Sequence, residues 1–118
     1  MPRSYGRNER VAAAILREIA EILQRELKDP RVRGATVTEV RVSDDLRNAT
    51  AYISFMSDDD GEVRQAMEGL KRAKGFIRST IAGRLNLRYM PDLVLKRDTL
   101  IRDSMKLDAL IAKGLHKD

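Results

Sequence analysis

Residues 62–85 read EVRQAMEGLKRAKGFIRSTIAGRL, and the fold turns on how this stretch divides. Val63, Ala66, Met67, Leu70 and Ala73 recur at helical spacing and mark one buried face. The pattern resumes with Phe76, Ile77, Ile81 and Leu85, but Gly75 stands between the runs. A glycine inside a helix costs about 1 kcal/mol relative to alanine. The simplest division is therefore two helices joined by a kink at Ala73-Lys74-Gly75, the second ending at Met90-Pro91. Phe76, like Phe55, is expected in the core.

Working outward, Asp58-Asp59-Asp60-Gly61 is a loop that also supplies an N-cap. Before it, residues 49–56 alternate, with Ala49, Ala51, Ile53 and Phe55 directed at the core. Residues 36–43, TVTEVRVS, alternate too: Thr38, Val40 and Val42 one way, Val37, Glu39 and Arg41 the other. A turn over residues 44–48 makes the two a hairpin. Residues 8–28 predict one long amphipathic helix, with Asn8 as N-cap and Asp29-Pro30 as stop. Val11, Ala12, Ile15, Ile19, Ile22 and Leu23 form its apolar face. Arg7, Arg10, Arg17, Arg25 and Lys28 fall in an arc on the opposite side, while Glu26 projects toward the apolar face. Downstream, residues 92–97 predict a short strand. Asp98 or Thr99 then caps a last helix, which carries Ile101, Met105, Leu110 and Ile111 and ends near Gly114. The order α-β-β-α-kink-α-β-α predicts an α+β fold of the type II KH-like kind: a three-stranded sheet packed on helices, plus a short C-terminal helix. The whole chain, 1–118, reads as one domain, with a core over 6–98 and the terminal helix over 99–114.

Composition narrows the function. The 118 residues include no Cys, no Trp and one His, at position 116 near the chain end. Thiol nucleophiles, zinc fingers and iron–sulfur clusters are excluded, and histidine acid–base chemistry would rest on a tail residue. No apolar run is long enough to span a bilayer. These features predict a soluble, cytoplasmic binding protein, not an enzyme. Charge is segmental: net +3 over residues 1–35, −4 over 36–61, +5 over 62–88 and +1 over 89–118. Sixteen of the 23 basic residues are arginine, which suits bidentate phosphate contacts. Two basic helical segments therefore point to a polyanion partner. Aromatic residues make up only 4%, too few for a stacking platform, so recognition of a nucleic acid would run through its phosphates and shape. The loop acids at Asp44-Asp45 and Asp58–Asp60 match no metal-ligand spacing and read as turn-formers and caps.

KH domains clamp nucleic acid with a G-x-x-G loop between two helices. This chain has none; Ala73-Lys74-Gly75 stands in its place, flanked by Lys71, Arg72 and Arg78. A tight kink offers fewer backbone amides, so side-chain charge must supply more of the attraction. The candidate RNA-binding residues are Lys71, Arg72, Lys74, Gly75, Arg78, Arg84 and Arg88, together with the arc Arg7, Arg10, Arg17, Arg25 and Lys28. An alternative is a KH-like protein–protein module without direct RNA contact, which the missing G-x-x-G would suit.

Several stretches, in this order and spacing, carry a family resemblance. They are Lys28-Asp29-Pro30; Val42-Ser43-x-Asp45-Leu46 followed by Ala49-x-Ala51-Tyr52-Ile53-Ser54; Ala73-x-Gly75 followed by Phe76-Ile77-Arg78; then Leu87-Arg88, Pro91-x-Leu93 and Asp98. From Gly6 to Ile111 the chain resembles the ribosome-binding factor A family. Asp44 departs from the pattern, since many relatives carry a basic residue there, and the tail stops soon after the last helix. The resemblance implies a KH-like, non-enzymatic factor with no cofactor that binds free small (30S) ribosomal subunits. It further implies a role in late 16S rRNA processing at the 5′ end and in growth at low temperature. Expected partners are the small subunit, its 16S rRNA and other assembly factors, with the chain itself a monomer.

Overall fold

The computed structural model describes residues 6–27, 29–32 and 34–99. The first helix, α1, spans Arg7–Glu21 and buries Ala12, Ile15 and Ile19. It does not run on as a regular α-helix to residue 28. Residues Ile22–Glu26 form a π-helical turn, and Leu27 is already extended. The wider turn breaks the 100° spacing on which the predicted basic arc depended and buries both Ile22 and Leu23. Asn8 is not the N-cap. Gly6 holds that position, and the Asn8 amide instead donates to the Val42 carbonyl at 3.1 Å and to Asp44 Oδ1 at 3.2 Å, tying α1 to the hairpin.

Strands β1 (Ala35–Val42) and β2 (Asn48–Phe55) pair antiparallel, and β3 (Asp92–Arg97) lies parallel to β2 at the other edge. A parallel neighbour needs a crossover, which two helices supply: α2 (Asp60–Arg72) and α3 (Lys74–Leu85). The order is thus the predicted one as far as β3; the expected C-terminal helix lies outside the described residues.

Helices cover one sheet face. Ile53, Leu70, Ile77, Ile81 and Leu93 meet Ile15, Ile19 and Ile22 there in one fully buried cluster. Val94 and Lys96 point to the opposite, exposed face. One strand departs from simple alternation. The β1–β2 register shifts between Val37 and Glu39, so Val37, Val40 and Val42 face inward and Thr38 does not. The bulge adds one residue and turns the side chains before it onto the other face. Thr38, expected on the same face as Val40 and Val42, is exposed and donates its hydroxyl to Asp98 at 2.6 Å.

Candidate nucleic-acid interface

The break between α2 and α3 is built locally. The Asp59 carboxylate accepts the Glu62 amide at 3.1 Å and caps α2, satisfying one of the donors left free at a helix start. At the far end, Ala73 takes φ −82°, ψ 0°, the bridge region between helical and extended backbone. Its amide closes on the Gly69 carbonyl at 3.1 Å, and its own carbonyl accepts the Ile77 amide at 2.9 Å. A single residue therefore ends one helix and opens the next. The amides of Lys74, Gly75 and Phe76 open α3, where no earlier turn of the helix offers them carbonyls. Gly75 has no left-handed φ, and a Cβ placed on it would meet nothing within 4 Å. Backbone geometry therefore does not demand glycine at this exposed position.

Around this break the candidate cations divide into two groups. Lys71 and Arg72 are exposed and form no ion pair among the described residues. Lys74 reaches Asp92 only at 3.8 Å, a long contact worth little at a surface. Arg78, by contrast, donates to the Met90 carbonyl at 3.2 Å and the Pro91 carbonyl at 3.3 Å. Arg84 pairs with Glu18 at 3.4 Å and with Glu26, and both partners hold its guanidinium in the charged form. Those two arginines brace the helices and the loop before β3. Arg88 is exposed, with its guanidinium 5.7 Å from the Tyr89 ring centroid. Along α1, Arg7, Arg10 and Arg17 are exposed and form no ion pair among the described residues, whereas Arg25 pairs with Glu21 at 3.5 Å. Lys28 lies outside the described residues.

Two aromatics stand exposed near this surface. Phe76, expected in the core, is 50% exposed beside Gly75. Ile77 and Ile81, four apart, take the buried stripe of α3, and a neighbour of Ile77 stands about 100° off that line. Tyr89 is 78% exposed in the loop before β3. α3 also ends sooner than Met90-Pro91 suggested, because Asn86 adopts left-handed geometry (φ 50°) and caps it. Among the described residues no group of three or more acids or histidines could hold a metal, and no helix is long and apolar enough to cross a membrane.

The family model for ribosome-binding factor A matches residues 7–111. The chain belongs to the ribosome-binding factor A family. A ribosome-binding factor A of Enterococcus faecalis is 43% identical over 107 residues, covering 91% of this chain and 92% of the relative. One from Shewanella sediminis is 38% identical over all 118 residues, covering 82% of the relative. The crystal structure of ribosome-binding factor A from Thermus thermophilus superposes with a TM-score of 0.65 at 30% identity. It covers 79% of this chain and 97% of its own. Coordinates of the Thermus thermophilus factor fitted into the cryo-EM map of a 30S complex give 0.61 at 30% identity, over 74% and 90% of the two chains. The three-stranded mixed sheet with its α2–α3 crossover is therefore the ribosome-binding factor A fold.

Proposed function

We propose that this chain binds the free 30S ribosomal subunit and assists late maturation of its 16S rRNA, at the 5′ end and in growth at low temperature. It acts as a binding factor, not a catalyst. Family membership supports this reading, as does the Thermus thermophilus relative fitted into a 30S complex. One observation of this chain carries the mode of contact: Lys71 and Arg72 stand exposed and unpaired among the described residues, beside a Gly75 whose missing Cβ leaves the backbone open. A phosphate can approach those first-turn amides, with the flanking cations supplying the attraction. Lys74 joins this contact, and Arg7, Arg10, Arg17, Arg25 and Arg88 widen the basic footprint. Arg78 and Arg84 shape the surface through their internal partners.

Co-sedimentation with purified 30S subunits across a salt series tests it. Charge reversal at Lys71, Arg72 and Lys74 should abolish binding at low salt while leaving the circular dichroism unchanged. The unmodified chain should lose affinity steeply as salt rises, since released counterions drive phosphate binding. Binding that survives nuclease treatment and barely responds to salt would instead assign the surface to a protein partner.

A further inference from the structure

A second feature lies outside the kink. A cleft of about 580 Å³ opens where the start of α1, the β1–β2 turn and the loop from α3 to β3 converge. That volume falls within the range of roughly 300–1,000 Å³ typical of small-molecule sites. Its rim carries three arginines from three separate elements: Arg7, Arg47 and Arg88. Val11, Leu87 and Pro91 give it an apolar floor, and the exposed Tyr89 ring stands in its wall. One acid, Asp45, also lines it. Its Oδ1 accepts the Ser43 hydroxyl at 2.6 Å and the Arg47 amide at 3.0 Å, bonds that favour its ionised form, so three cations stand against one negative charge there.

Hydrogen bonds to the backbone join the elements around the cleft. The Asp92 amide donates to the Arg47 carbonyl at 2.8 Å, locking the hairpin turn to the start of β3. Arg78 holds the carbonyls of Met90 and Pro91 from behind. The Arg88 guanidinium over the Tyr89 ring orients that side chain.

An apolar floor, one aromatic face and a rim of guanidinium groups match an aromatic base joined to phosphates. We propose that this cleft takes one unpaired nucleotide of an RNA strand, its base against Tyr89 and its flanking phosphates on Arg7, Arg47 and Arg88. A strand suits the site better than a free nucleotide. The three cations come from three elements around the rim, so they can meet successive phosphates, and none belongs to a glycine-rich phosphate loop. Tyr89 thus adds one point of base contact to a surface otherwise reading backbone. The inference rests on the RNA-binding reading above, and its failure looks different.

The test compares a short unpaired RNA oligonucleotide with an abasic chain of the same length, by fluorescence anisotropy at fixed salt. The abasic chain should bind about tenfold more weakly, the scale of one base–aromatic stack. Tyr89→Ala should erase that difference and Tyr89→Phe should keep it; at this exposed position neither disturbs the core. Phe76→Ala should leave the difference in place. Equal, steeply salt-dependent binding of both oligonucleotides would overturn the cleft while sparing the RNA reading. A difference that follows Phe76→Ala would overturn it too, as would a free nucleoside monophosphate binding as tightly as the oligonucleotide. Absence of salt-dependent binding to any RNA would remove both readings together.

Discussion

Glu26 sits on the side of the first helical segment that faces the protein, and periodicity gives no reason for an acid there. The reason is Arg84, fifty-eight positions away, which pairs with Glu26 and Glu18 across the packed helices. Asp29, in the Asp-Pro stop after α1, is a second acid with a defined task. The Arg31 side chain hydrogen-bonds its carboxylate, with the closest contact at 2.7 Å, and the Arg31 backbone amide adds another at 2.9 Å. These bonds pull the Asp29 pKa from 3.8 down to about 2. The folded value lies below the unfolded one, so the ionised carboxylate favours the folded chain. That contribution is complete above pH 3.8 and is lost as pH falls through about 2. Urea denaturation of Asp29→Asn should show lower stability near neutral pH and a flatter stability profile across that acid window. Parallel profiles for the two proteins would contradict the assignment.

Among the elements, the α2–α3 break makes the sharpest prediction, because glycine there lacks a structural need. Gly75→Ala introduces no clash and improves helix propensity by up to about 1 kcal/mol. The urea midpoint should therefore rise while affinity for 30S subunits falls, since the methyl group covers the open backbone. A variant that gains stability and binds unchanged would remove the close-approach role. The helix break near residues 73–75, a cap from within Asp58–Gly61 and the strand over residues 92–97 were all legible, since each shows in a local pattern: an interrupted apolar stripe, a run of capping acids, a short apolar run. The β1 bulge was not, because TVTEVRVS alternates acceptably in two registers. The one signal was the three-residue gap between Val37 and Val40, both buried. The π turn was equally hidden, since Ile22 and Leu23 fit an ordinary apolar stripe.

Across the molecule, what matters is which charges the fold consumes. Arg41 pairs with Glu39 at 3.0 Å, Arg97 with Asp60 at 3.1 Å and Arg31 with Asp29 at 2.7 Å. Arg84 is spent between helices, and Arg78 on the loop before β3. The cations left without such partners among the described residues include Lys71 and Arg72 at the break, and Arg7, Arg10 and Arg17 along α1. Segmental charge foretold basic helices but could not sort these groups, because every internal partner of Arg78 and Arg84 comes from distant sequence or from backbone. On the proposed reading the sorted surface directs RNA to the α2–α3 break, and not to the exposed sheet face that bears Val94. The sharpest test places a photo-crosslinking aromatic residue at position 76, exposed beside the break, or at position 94, with the chain bound to immature 30S subunits. RNA docking at the break gives 16S rRNA adducts from position 76 and none from position 94; adducts only from position 94, or only protein adducts from position 76, would rule it out.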